Sequence, residues 1–455
     1  MVNFASRVQR YQWPLIVLAL ILVQSAPLAI KVLGIIGLGV VAVASPVALL
    51  GAVAATTPLY LMPVAITGSA AIPLHEIVWV IAILAWGITR WQQQQAVVVW
   101  MRHDRWVAAL FASAMLAVVW AVPEGRGEAL RWLRWLFIEP IIWYLCVRTA
   151  MHHRLLAPLH LIHALMISAC VVAGIGLLQA VGYDLVPLLG EKRAFSDNVI
   201  STGNIIRVAS VYGHPNNLAL YLERIWPFAF VAVLIPQLRT RTMFVVVLLC
   251  ATGLLLSFSR GAWLAVTCVT LLIGVRYYGT TFMRTQPRIV AGVVVAALVG
   301  TLFALLTRGA SVGSIDARML LWYESITWLQ QRPWGLGLGQ FYFYHNPEYG
   351  YSIIDASLIG TSEQYAAHPH NFILDLWLNL GVWGLGIGMV LVWQALRRSL
   401  PLQQPRWWAV AAGMMLVTAL IHGLVDQFYF VSDIAYCFWL AFSIIDVDTA
   451  TDTPL

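Results

Sequence analysis

Along this chain long apolar stretches alternate with short polar turns, and many of the stretches approach the ~18–20 residues that cross a bilayer. Spans are predicted at 74–90, 106–122, 135–147, 155–181, 217–236, 242–258, 262–275, 289–307, 371–396, 407–425 and 430–445. Residues 12–55 hold one or two more, with Lys31 interrupting the run. Segments 56–73, 183–216 and 308–369 read as loops. In the longest loop Met319, Trp322, Tyr323, Ile326 and Leu329 recur with a helical period, which predicts an amphipathic helix over 316–330. The expectation is an all-α fold: a polytopic transmembrane helical bundle of about 12–14 spans. It forms one integral membrane domain over 1–455, with 308–369 as a large loop within it.

Composition sharpens this picture. The chain is 61% hydrophobic and 10% charged, so little of it can be a soluble domain. Its five cysteines all fall in apolar segments, which leaves no disulfide framework in the loops. The first apolar segment lacks a small-residue cleavage site, so no cleavable signal peptide is expected. The net charge of +7 is carried almost wholly by arginine, Lys31 and Lys192 being the only lysines. No basic run points to nucleic acid. Arginines cluster in the turns at 90–105, 148–154, 239–241, 276–288 and 397–406, which the positive-inside rule places in the cytoplasm. Segments 56–73, 124–134, 183–216, 308–369 and the tip at 257–261 then face outward, in consistent alternation. Arg7 and Arg10 put the N-terminus inside, which requires an odd number of spans before residue 56.

Three outward stretches carry candidate chemistry. Ser257-Phe258-Ser259-Arg260-Gly261-Ala262-Trp263 interrupts an apolar run over 243–275, too long for one span, and so forms a hairpin tip. An arginine sunk near the interface is costly and by default functional; the bland alternative is an arginine snorkelling to headgroups. Arg207 precedes Tyr212-Gly213-His214-Pro215-Asn216-Asn217, a turn and helix start with Asn as cap. An arginine beside a helix N-terminus is a reasonable phosphate seat, although turn chemistry alone explains the segment. Finally, His368-Pro369-His370-Asn371 ends the long loop and opens a helix. On its wheel Gly381 lies about 20° from His370 and Gly384 about 40° to the other side, which reads as a strip for close packing of another helix.

The rest of the long loop is plainer. Pro333-Trp334-Gly335-Leu336-Gly337-Leu338-Gly339 lacks the strand and helix context of a nucleotide loop. Phe341, Tyr342, Phe343, Tyr344, Tyr349, Tyr351 and Tyr365 offer either a sugar-stacking surface or interfacial anchors. His368 and His370 are two apart, not at helical metal spacing, so no metal and no cofactor is expected. Glu139 and Asp426 are expected to pair with arginines inside the bundle.

Together these stretches resemble the O-antigen ligase/polymerase superfamily of membrane glycosyltransferases. The pattern His-[Asn/Ser/Gln]-x9-Gly-x-x-Gly is met by His370, Asn371, Gly381 and Gly384, and the Ser-Arg-Gly hairpin by Ser259, Arg260 and Gly261. Arg207 with His214, Pro215 and Asn216 resembles a third signature; Arg318, Trp322 and Pro333 to Gly339 resemble a fourth. The resemblance covers 200–425 well and the N-terminal half by hydropathy only. It implies a bacterial cytoplasmic-membrane enzyme with an outward-facing site. That enzyme transfers a glycan from a polyprenyl-diphosphate carrier to a glycan, lipid or protein hydroxyl, inverting and without metal. In that scheme Arg207 and Arg260 neutralise the diphosphate, and neutral His370, with an ordinary pKa of about 6.5, deprotonates the acceptor. Arg318, His368, His214, Tyr212, Asn371 and Ser259 line the substrate site.

Within the enzyme class a ligase, a polysaccharide polymerase and a protein O-oligosaccharyltransferase fit alike. A small-anion transporter is the rival class, since members of the superfamily have been labelled bicarbonate transporters. It predicts charges on spans of both halves and helices broken at mid-depth, whereas here the charges gather on one face. A non-catalytic partner in an envelope assembly would tolerate loss of His370.

Overall fold

Proline and serine breaks divide the apolar N-terminal run into more helices than its hydropathy suggests. The computed structural model describes residues 8–25, 27–67, 70–185, 201–202, 205–285, 314–400 and 406–447. In it 12–56 forms three helices, α1 (Gln12–Gln24), α2 (Leu28–Ala44) and α3 (Pro46–Thr56), where one or two spans are expected. Pro27 caps α2 and Pro46 opens α3, positions where a missing N–H costs nothing. The predicted loop at 56–73 is ordered as a hairpin of β1 (Pro63–Thr67) and β2 (Ala70–Pro73). Buried Lys31 donates to the Ala65 carbonyl of that hairpin at 2.7 Å, which satisfies the charge that interrupted the run.

The remaining main helices follow the hydropathy pattern within about five residues, except that the helix starting at Arg260 runs ten residues past the end expected at 275, through a break at Gly279. They are α4 (Leu74–Gln92), α5 (Asp104–Val119), α6 (Glu139–His152), α7 (Pro158–Ala180), α8 (Pro215–Leu234), α9 (Arg241–Leu256) and α10 (Arg260–Thr285). After them come the loop helix α11 (Ser314–Gln331), then α12 (Phe372–Ser399), α13 (Trp407–Gly423) and α14 (Ser432–Ile445). The predicted span at 289–307 lies outside the described residues, as do Arg7 and Lys192. The protein is thus mostly helical. By length and composition α4, α7, α8 and α12 can each cross a membrane, beside several shorter apolar helices. α8 is almost wholly buried at the centre, against α7, α9, α10 and α13.

One end of the bundle is closed by ion pairs. There Arg148 binds Asp104, Arg398 binds Asp446, and His103 Nε2 lies 2.7 Å from Asp446. The start of α5 is thereby tied to the ends of α6, α12 and α14. Glu139 pairs with Arg134 at 3.6 Å, as expected of a buried carboxylate.

At the other end the long loop docks on α12 by breaking it. Gly381 adopts φ +73, and the helix loses its regular bonds there. The Val382 N–H turns to the Pro333 carbonyl at 3.3 Å, while the Leu378 carbonyl accepts from Leu336 N–H at 2.8 Å. A Cβ on Gly381 would lie 2.6 Å from the Trp334 carbonyl, and one on Gly335 2.6 Å from that of Leu378. Gly381 is therefore no strip for another helix: it receives the Pro333–Gly339 turn. A Cβ at Gly384 would meet Leu380 of its own helix. The loop aromatics form a small core of their own rather than an open sugar platform. Phe341, Phe343 and Tyr344 are buried, Phe343 packs on Tyr349 with ring centroids 4.9 Å apart, and Tyr344 packs on Trp328 at 4.9 Å. Tyr365 stays half exposed.

Candidate active site

At this open end α8, α10 and α12 all begin, so three positive helix termini surround one region. Each is fixed by its own local chemistry. α9 and α10 are joined by Ser257-Phe258-Ser259, with Phe258 at φ +52. Ser257 Oγ donates to the Leu254 carbonyl at 2.7 Å, Ser259 N–H donates to Ser257 Oγ at 3.2 Å, and Trp263 Nε1 latches back onto Leu254 at 2.8 Å. Ser259 is buried in making this turn, which sets Arg260, half-buried, as the first residue of α10.

Arg207 holds that turn from the side. Its Nε donates to the Ser257 carbonyl at 3.0 Å and its Nη2 to Asn216 Oδ1 at 2.7 Å. The cap of α8 is His214 rather than the expected asparagine: its Nδ1 accepts the Asn216 N–H at 3.0 Å, with Pro215 in the first turn. Burial depresses the His214 imidazole to about 4, with Arg207 adding to the effect and Asp426 opposing it. Asn216 then donates to Asp426 Oδ2 at 2.8 Å.

His370 sits at φ +52, an uncommon conformation for a side chain of this size. Three contacts impose it: Trp322 Nε1 holds the Pro369 carbonyl at 2.9 Å, His368 Nδ1 accepts the His370 N–H at 3.3 Å, and Asn371 caps α12 through Ile373 and Leu374. Arg318 and Trp322, four apart, share one face of α11, so the helix that anchors this turn also carries an arginine on the same face. Arg318 and Arg260 repel one another, and Arg318 also acts on Glu363 and His368.

The histidine lies between two carboxylates. Nδ1 is 3.7 Å from Asp426 Oδ1 and Nε2 is 3.5 Å from Glu363 Oε2, ion-pair rather than hydrogen-bond lengths. Burial disfavours the imidazolium, but Asp426 and Glu363 outweigh it and push the group up to about 9. Glu363 is correspondingly lowered by His370, and the His370 charge likewise draws Asp426 well below the carboxylate range against its burial. The ordinary value expected from the sequence is therefore corrected, because neither flanking carboxylate adjoins His370 in the chain. Glu363 is itself pinned: His345 Nε2 meets its carbonyl at 2.8 Å while His345 Nδ1 meets Glu324 at 2.7 Å.

The fold therefore brings together Arg207, Arg260, Arg318, His214, His368 and His370. Three expected residues have other duties. Tyr212 is fully buried and donates to Asp433 at 2.6 Å, Asn371 is a helix cap that also donates to Leu424 at 3.2 Å, and Ser259 shapes the hairpin. Asp426 pairs with Asn216 and histidines rather than with an arginine. Asp426, which the sequence suggests only as an arginine's partner, and Glu363, which no local pattern in the long loop marks, are the acids that complete the site. Ligand atoms of His368, His370 and Asp426 lie within 4.8 Å of one another, a grouping not visible from the spacing of the two histidines. The proton held on His370 competes with any cation there.

Residues 245–387 match the family model described as O-Antigen ligase. The matched stretch holds the Ser-Arg-Gly hairpin, Arg318, Trp322, the Pro333–Gly339 turn, His370, Gly381 and Gly384. Over that stretch, which is less than half of the chain, the protein is similar to the O-antigen ligase family. No curated protein matches it.

Proposed function

We propose that this protein transfers a glycan from a polyprenyl diphosphate to a hydroxyl acceptor at the outer face of the bacterial cytoplasmic membrane, in the manner of an O-antigen ligase. The observation that carries the reading is the pairing of two mutually repelling arginines, Arg260 and Arg318, beside His370 and its two carboxylates. Like charges gathered at helix N-termini are offset by an anion, and a diphosphate supplies charge and acceptor oxygens together.

The chemistry follows from the leaving group. A diphosphate departs readily, so the protein must bind it, neutralise charge as the sugar–oxygen bond breaks, and remove one proton from the acceptor. Arg260, with Arg318, stabilises the departing phosphate, and Arg207 adds positive potential while holding the hairpin. His370 takes the acceptor proton as that oxygen attacks the anomeric carbon from the face opposite the diphosphate, which inverts the centre. Asp426 and Glu363 make the imidazole a stronger base, at the expense of the neutral form near pH 7. No metal is required for any of these steps.

The basic turns at the ion-paired end support a site that faces outward. A glycan profile of a deletion strain tests the reading and sorts its variants. Loss of polymer attached to a lipid core marks a ligase, shortened chains mark a polymerase, and loss of glycosylated protein marks an oligosaccharyltransferase. Unaltered glycans with altered anion flux would instead favour the transporter.

A further inference from the structure

Behind the site a second polar couple runs into the bundle, and none of the steps above uses it. His422 closes the last turn of α13, with Nδ1 2.8 Å from Glu223 Oε2 of α8, and both side chains are at most 1% exposed. Glu223 lies about 12 Å along α8 from Pro215, deep in apolar surroundings. A carboxylate there is costly unless it is paired and used. Its other oxygen lies 3.6 Å from Arg224, whose guanidinium is fully buried. The far edge of the His422 ring faces the site: Nε2 is 3.9 Å from Asp426 Oδ2. That edge also rests on the hairpin, because a Cβ on Gly261 would lie 2.5 Å from His422 Cδ2 and 2.7 Å from Nε2. The glycine after Arg260 is thus the space in which this ring sits.

We propose that Glu223 and His422 are positioning residues for the Asp426–His370 couple. Glu223 fixes the ring of His422; His422, with Asn216, fixes the carboxylate of Asp426; Asp426 in turn faces His370. Gly261 seats the same ring against the turn that carries Arg260, so one buried side chain sets the spacing between the phosphate arginine and the base. The inference deepens the reading of His370 as base and rests on it.

Other groups also face these residues, and the test must separate them. His422 faces Glu223 on α8 and Asp426 on the α13–α14 turn, and Glu223 faces Arg224. His370 faces Asp426, Glu363 and His368, and interacts at longer range with His214 and Asp375. Arg318 acts through Glu363 and His368.

The full-length protein in nanodiscs is treated with diethyl pyrocarbonate across a pH series, and His370 modification is read by mass spectrometry. This reports the protonation of His370 without any glycan substrate. Glu223→Gln and His422→Gln should each move the midpoint of His370 modification to lower pH by about one unit, because Asp426 is no longer held against the ring. Gly261→Ala should move it in the same direction, and this effect should vanish when His422→Ala is already present. An unmoved midpoint in folded Glu223→Gln, or additive shifts for Gly261→Ala and His422→Ala, would overturn the proposal. Should Glu223→Gln fail to fold, the Gly261–His422 cycle decides alone. Failure of the base reading looks different: His370→Ala would retain transfer whatever the modification midpoints show.

Discussion

His370 Nδ1 and Asp426 Oδ1 stand 3.7 Å apart, although two membrane helices, α12 and α13, separate them in the chain. With Glu363 on the other side of the ring, this contact makes His370 a proton-holding group in the resting protein. The first prediction follows. With its imidazole pushed up to about 9, His370 is mostly protonated at pH 7.5. Transfer should therefore rise with pH from 7 toward 9. Asp426→Asn removes one flanking charge, so the rising limb should move to lower pH while the plateau rate falls. A pH–rate profile of both proteins checks this. The linkage to stability has the opposite sign: between 6.5 and about 9 the folded site holds a proton that the unfolded chain releases. This contribution is complete below 6.5 and is lost as pH rises through 9.

The arginines give the second prediction. Arg260→Ala and Arg318→Ala should each weaken binding of a polyprenyl diphosphate as well as slow turnover, by about tenfold or more in affinity for a lost charged contact. Lysine should restore part of the loss at either position, since a point charge cannot reproduce the planar fork. Equilibrium binding of undecaprenyl diphosphate to purified variants reads this directly; full affinity in both alanine variants would remove the anion seat.

Which parts of this were legible in the sequence has a physical explanation. Hydropathy and arginine clustering located most helices, because burial and charge act on each segment independently. The motif residues Arg207, Arg260, Arg318 and His370 were likewise readable from local signals. Asp426 and Glu363 were not, because a carboxylate acquires meaning only from what the fold sets beside it. The Gly381 break was misread for a related reason. A helical wheel assumes an unbroken helix, and here the partner is a turn whose N–H and carbonyl groups replace the helix's own. The N-terminal helices were undercounted because hydropathy averages across Pro27 and Pro46.

That break supplies the third prediction. Gly381→Ala places a Cβ 2.6 Å from the Trp334 carbonyl in an extended positive-φ conformation that is essentially glycine's alone and costs roughly 1–3 kcal/mol before any clash. The loop should dock poorly, with faster proteolysis near Pro333 and reduced thermal stability in detergent. Val382→Ala, next to it on an exposed position, should leave both nearly unchanged.

Topology is the fourth. In a cysteine-free background, Ala356→Cys in the loop should react with an impermeant maleimide in intact cells, and Gln93→Cys in the turn after α4 only after lysis. The reverse pattern would put the site on the cytoplasmic side and remove the proposed donor.

The central claim is that His370 is the base and does not grip the donor. Its most direct test is single-turnover transfer from a polyprenyl-diphosphate glycan, measured beside donor binding on the same purified His370→Ala protein. The account predicts donor affinity within a few-fold of the parent and a transfer rate lower by about 10²–10⁴-fold. Parental transfer rates in His370→Ala would contradict it.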